Sequence, residues 1–177
     1  MSVPIEAFAD PCTRMLLSNN GSTSRLLEAS LCTTISVQVH CQFPRLAARL
    51  PASVRDALDL AGQHYVTVRD STLYTHDRRP ISRNQVVISG SFDLLGALAT
   101  GHDVPLGLAL IGAGLEQHRT ILATGRVAWP YGAPSRPAAS KTYIITANGR
   151  PRLHLQEIYS PDLFPAHLRS SATSGSG

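Results

Sequence analysis

The sequence predicts an α+β domain built on an antiparallel sheet, and three observations carry that prediction. Residues 34–42 alternate apolar and polar side chains, the pattern of a half-buried strand. Residues 64–74 and 81–89 are two more strand-like runs, and the polar cluster Thr75-His76-Asp77-Arg78-Arg79-Pro80 between them reads as a hairpin loop. Residues 141–147 and 152–159 flank Asn148-Gly149, a strong signal for a two-residue hairpin turn. Helical patterns cluster at the start and middle of the chain, so strands are joined by hairpins rather than by crossover helices. At 177 residues the chain is long enough for one domain with a real core.

In order, residues 1–11 read as a loose lead, 12–169 as the domain and the Ser/Gly-rich residues 170–177 as a disordered tail. The cap-forming cluster Ser18 to Ser24 precedes a short helix beginning at Leu26-Leu27. Glycine followed by hydroxyls can turn backbone N–H groups toward an anion, but the Gly-Lys-Ser/Thr ending of a phosphate loop is missing. In the first strand Ile35, Val37, Val39 and Cys41 share one face, with Ser36, Gln38 and His40 on the other. Residues 44–60 follow a helical pattern interrupted at Pro51. The second strand puts Val66 and Val68 on one face and Thr67, Arg69, Ser71 and Leu73 on the other. On the third, Ile81, Arg83, Gln85 and Val87 share a face. The hairpin is thus expected to carry a polar side formed by Arg69 and Ser71 with Arg83 and Gln85; a solvated sheet face is the alternative. Beyond it, 89–101 and 105–111 read as short helical or apolar segments, Gly112-Ala113-Gly114 as a loop, and 119–123 as a strand. Residues 130–139, with three prolines, read as an irregular connection.

Composition narrows the function classes. The three cysteines show no CxxC spacing and the seven histidines no HxxxH pair, so a metal site is not expected. Net charge is +4, with Lys141 the lone lysine among sixteen basic residues. The arginines are scattered and not interleaved with aromatics, which argues against nucleic acid and for a small anionic ligand. No apolar run approaches the roughly 18–20 residues of a membrane span, and the start lacks a signal-peptide pattern. Reduced cysteines and the absence of a leader make the cytoplasm the expected compartment.

One residue breaks the apolar pattern. Leu153, Leu155, Glu157 and Tyr159 share a strand face, and an ionised carboxylate seldom occupies such a face unpaired. Glu157 reads either as a structural ion-pair member or as a buried acid tuned for chemistry.

The chain resembles the chorismate pyruvate-lyase family over about residues 12–165. The likeness is carried by Asn20, Gly21, Ser22, Ser24 and Arg25, by Arg69, by Pro105-Leu106-Gly107, and by Gly149-Arg150-Pro151 followed by Glu157. The resemblance implies a single antiparallel sheet of about six strands flanked by helices. It also implies cofactor-free cleavage of chorismate to 4-hydroxybenzoate and pyruvate. On that likeness Arg69 clamps a substrate carboxylate, Leu106 and Gly107 assist through backbone N–H groups, and Glu157 is the general acid/base. The ligand implied is a small anionic aromatic or cyclohexadiene carboxylate. The chain departs from the family at Asp70-Ser71-Thr72, at Arg83-Asn84-Gln85 and at Ser22, where the better-known bacterial enzymes carry a bulky methionine. Ser22, Arg83 and Gln85 are therefore expected to reshape the pocket. That suggests an alternative enzyme of specialised metabolism, acting on an aromatic or heterocyclic carboxylic acid by condensation or cyclisation. A further alternative is a non-catalytic ligand sensor, because effector-binding domains of one class of bacterial transcription regulators have a related fold. Those domains follow a DNA-binding domain, whereas only a short stretch precedes Cys12.

Overall fold

The computed structural model describes residues 1–89, 106, 117–147 and 149–170. Six strands form one antiparallel sheet: β1 (Ser36–Leu46), β2 (Tyr65–Tyr74), β3 (Pro80–Ser89), β4 (Gln117–Ala128), β5 (Pro137–Ala147) and β6 (Arg150–Tyr159). Their spatial order is β1-β2-β3-β6-β5-β4. Each half is a meander of sequence neighbours, and the halves join where β3 pairs with β6. The central strands β3 and β6 are thereby covered on both edges, while β1 and β4 flank the sheet.

Among the described residues three α-helices accompany it: α1 (Pro11–Ser18), α2 (Thr23–Leu31) and α3 (Ala52–Ala57). Asp10 caps α1 by accepting the Thr13 N–H at 2.6 Å, with Pro11 in the first turn where its missing N–H costs nothing. Ser22 caps α2, accepting from the Arg25 N–H at 3.4 Å. Leu16, Leu17 and Leu27 from these helices pack with Val37, Leu73, Tyr159 and Phe164 on one side of the sheet, its front face. On the back face, Ala47, Leu50 and Leu58 around α3 cover Val66, Val68 and Val87. The α+β, single-sheet expectation holds.

Several local expectations are corrected. Residues 1–11 are packed rather than loose. Val3 and Phe8 are buried, and residues 1–3 lie along β4, with the Val3 N–H donating to Thr124 at 3.0 Å and the Arg126 N–H to Met1 at 3.1 Å. That contact requires Gly125, because a Cβ there would stand 2.6 Å from the Met1 carbonyl oxygen. Gly125→Val is expected to displace residues 1–3 and to destabilise the fold by about 1–3 kcal/mol in urea unfolding. Faster hydrogen exchange at the Val3 and Arg126 amides would accompany the loss.

The strand β1 continues to Leu46, so the helical pattern expected from 44 onward begins only at the tight turn Ala47–Arg49. The pairing register of β1 shifts between Val39 and Cys41, placing Val39 opposite Ser71 and Cys41 opposite Asp70. An extra residue in one strand sends the residues after it to the other face, so Cys41 parts from Val37 and Val39. The strand expected at 119–123 runs from 117 to 128, and β5 begins at Pro137, inside the expected irregular connection. The expectations for 90–105, 107–116 and 171–177 lie outside the described residues.

Candidate functional site

The registers turn the front face into ordered rows. Ser71, Asn84, Glu157 and Lys141 stand opposite one another on β2, β3, β6 and β5. The next row is Arg69, Val86, Leu155 and Tyr143 on the same four strands. A polar row thus crosses the centre of the sheet beside a row that is apolar except for Arg69 at one end. Thr23 and Ser24, at the start of α2, close over it. Together with Val37, Leu73, Leu106, Arg119 and Ile145, these residues, Lys141 excepted, line a cavity of about 40 Å³.

Glu157 is only 5% exposed and accepts hydrogen bonds from three hydroxyls. Tyr143 donates to Oε1 at 3.1 Å, and Tyr159 and Thr23 donate to Oε2, Thr23 at 3.3 Å. The Lys141 ammonium stands 3.9 Å from Oε2. That ammonium also donates to the carbonyls of Leu16 and Asn19, both at 3.1 Å, at the C-terminal end of α1. Helix ends leave such carbonyls without intrahelical partners, and a cation suits the negative end of the helix dipole. Lys141 therefore binds the carboxylate in the sheet to the helix lying on it.

Burial, seconded by the Glu157 charge, holds Tyr143 and Tyr159 well above the ordinary tyrosine pKa of 10.0. Burial lowers the pKa of Lys141, with Glu157 opposing the shift and Arg119 adding to it. Proton linkage fixes the sign. As pH rises past 10, an unfolded chain loses tyrosyl protons that the folded chain keeps, so the tyrosine contribution to stability falls. The lowered Lys141 pKa works oppositely, its contribution rising from the folded pKa up to the ordinary 10.5 and then levelling. Stability is expected to fall above about pH 10.5. In an absorbance titration of phenolate, two of the five tyrosines should ionise only together with unfolding.

Arg69 differs from Lys141. It is 1% exposed, and its Nη1 has no hydrogen-bond partner among the described residues. No acidic side chain there forms an ion pair with it. Burial lowers its pKa from the ordinary arginine value. Across the cavity Arg119 donates from Nη2 to Gln117 at 3.2 Å, while its Nε has no partner among the described residues. Among the described residues that line the cavity, two arginines, Arg69 and Arg119, stand against one carboxylate, Glu157.

The sequence-expected residues divide. Arg69, Glu157 and Leu106 line the cavity. Gly107 lies outside the described residues. Ser22 does not line the cavity: its hydroxyl is spent on capping α2, and its successors Thr23 and Ser24 reach the cavity instead. Arg83 and Gln85 are corrected outright. The β2–β3 register sets Arg83 opposite Thr72 and Gln85 opposite Asp70, on the back face. Arg83 there donates to Asp70 at 2.5 Å and to the Tyr131 hydroxyl at 3.4 Å. Burial acts to lower its pKa, but Tyr131 and Asp70 outweigh that and raise it. The tripeptide Arg83-Asn84-Gln85 contributes its middle member, Asn84, to the cavity. Lys141 and Tyr143 were missed; the signal available was that the chain's lone lysine lies in the strand preceding Glu157 across a hairpin.

Comparison with known proteins gives no matching family model and no matching curated protein. Solved structures do match. The ligand-binding domain of a protein assigned to the GntR family of transcriptional regulators in Bordetella bronchiseptica is 23% identical, with a TM-score of 0.55. That match covers 78% of this chain and 92% of that one. PhnF from Mycobacterium smegmatis matches at 12% identity and a TM-score of 0.65, over 88% of this chain and 71% of its own. The C-terminal domain of the histidine utilization repressor from Pseudomonas syringae pv. tomato matches at 12% identity and a TM-score of 0.53, over 79% and 99%. The fold is that of GntR-type ligand-binding domains.

This is the chorismate lyase-like fold, so the sequence resemblance reaches the architecture but not membership of the lyase family. The expectation of a chorismate pyruvate-lyase-like enzyme is corrected: the matched structures are described as transcriptional regulators or their domains, and none of those named here as a lyase. Among the described residues, no helix is long and apolar enough to cross a membrane.

Proposed function

We propose that the chain is a non-catalytic sensor of a small carboxylate, held in the front-face cavity by Arg69. The observation that carries this reading is the buried Arg69 guanidinium, which has no ion-pair partner among the described residues. A buried charge without a partner is costly, and an anion entering the cavity would offset that cost with charge-assisted hydrogen bonds. Val86, Ile145, Leu155 and the Tyr143 ring would take the apolar body of the ligand, which favours an aromatic or otherwise flat carboxylate. The present volume exceeds the roughly 10–15 Å³ that one water occupies, and suits a group of carboxylate size. A ring needs a side chain to give way, and Arg119, long and only half-buried, is placed to do so.

Glu157 fits the same reading. With three hydroxyls donating to it and an ammonium beside it, it ties together the β5–β6 hairpin, α2 through Thr23, and α1 through Lys141. A ligand that touches Thr23 and Ser24 therefore presses on the element through which the helices are held. The likeness to regulator effector domains supports an output to a DNA-binding unit, on the same polypeptide or on a partner chain. Benzoate serves as the probe: titrated into the wild-type protein it should release or absorb heat in calorimetry and raise the unfolding midpoint. In Arg69→Met both responses should vanish. Equal binding to both proteins would remove Arg69 from the site.

A further inference from the structure

We infer that Asn84 selects, among carboxylates, those that also carry a hydroxyl or amino hydrogen-bond donor. The inference rests on the ligand-site reading above and concerns a residue outside both the Arg69 clamp and the Glu157 cluster. Asn84 is 7% exposed, lines the cavity, and has no partner for its Oδ1 among the described residues. It stands in the polar row between Ser71 and Glu157. Glu157 is an acceptor already engaged by Tyr143, Tyr159 and Thr23, so it offers Oδ1 no hydrogen.

A plain carboxylate does not supply one either, since its ionised group accepts only. Only the orientation that presents Oδ1 asks for a donor; a carboxamide turned by half a rotation would present its NH2, which any carboxylate could accept, and equal affinities in the comparisons below would report that orientation. A ligand placing its anionic group at Arg69 and a hydroxyl or amine at Asn84 satisfies both buried groups at once. An isosteric ligand lacking that donor leaves Oδ1 as it is without ligand. Sites built around a hydrogen bond to a ligand hydroxyl reject the analogue without it, because the buried partner is stranded.

The test uses matched pairs in calorimetry with the full chain: benzoate against 3-hydroxybenzoate and 4-hydroxybenzoate, and 3-phenylpropionate against phenyllactate. In the wild-type protein at least one hydroxylated member should bind about tenfold tighter than its parent, the size of one good neutral hydrogen bond. In Asn84→Leu, and in Asn84→Ala should the leucine variant fold poorly, the preference should shrink to about twofold or less. Equal affinities in all three comparisons, or a preference that survives in the variants, would overturn the assignment. Equal affinities that Arg69→Met still abolishes would leave the arginine reading standing and remove Asn84 alone. Failure of every probe to bind the wild-type protein would remove both.

Discussion

Replacing Glu157 with leucine is expected to destabilise the protein by about 3–5 kcal/mol, the cost of breaking a buried ion pair from one side. The change strands the Tyr143, Tyr159 and Thr23 hydroxyls, which now donate to the carboxylate, and leaves the Lys141 ammonium without its counter-charge. Lys141→Met should cost less than Glu157→Leu, because the carboxylate keeps its three hydroxyl donors when the ammonium goes. The double variant Lys141→Met/Glu157→Leu should be more stable than the sum of the single losses by more than about 1 kcal/mol, as groups in one network are coupled. Urea unfolding at neutral pH measures all four corners of that cycle. Additive losses would mean that Lys141 and Glu157 act separately, and that the sheet and α1 are not joined through them.

Arg69→Met is expected to have the opposite sign. In the absence of ligand it should stabilise the fold by about 1–4 kcal/mol, since methionine fills similar space without an uncompensated buried charge. Carboxylate affinity should meanwhile fall roughly thirtyfold or more, the usual consequence of removing one side of a buried charge pair. A substitution that makes the protein more stable and less able to bind is the expected signature of a residue kept for its ligand. The contrast with Glu157 is the substance of the site: two buried charges on one sheet face, one fully partnered among the described residues and one not.

Much of the fold was legible because its signals are local. Alternation on β2 placed Arg69, Ser71 and Leu73 together, and the Asn148-Gly149 turn located the final hairpin. The unusual face bearing Glu157 was visible from period two alone. Register stayed hidden. A two-residue turn carried regularly outward from Ala147 and Arg150 would pair Lys141 with Gln156 and send it to the opposite face. The register shifts between Ile145 and Thr146, so Lys141 meets Glu157 instead. The β2–β3 loop likewise decides whether Arg83 or Asn84 faces the cavity, and a shift near Tyr74 is part of that decision. Bulges are set by how strands and helices pack across the whole sheet, and no short stretch of sequence announces them. Function was harder still, because one fold can serve catalysis in one family and ligand binding in another. The feature on which the proposed function rests, a saturated carboxylate on the same face as an arginine without a partner among the described residues, exists only once the strands are in register.

The most direct measurement is benzoate binding by calorimetry to the wild-type protein and to Arg69→Met, with the ligand-free unfolding free energy of each taken in the same buffer. If Arg69 waits for an anion, the wild-type protein binds, the variant binds roughly thirtyfold more weakly or not at all, and the variant is the more stable of the two without ligand. A variant that is less stable than the wild type and binds benzoate equally well would contradict it, and would make Arg69 a structural cation.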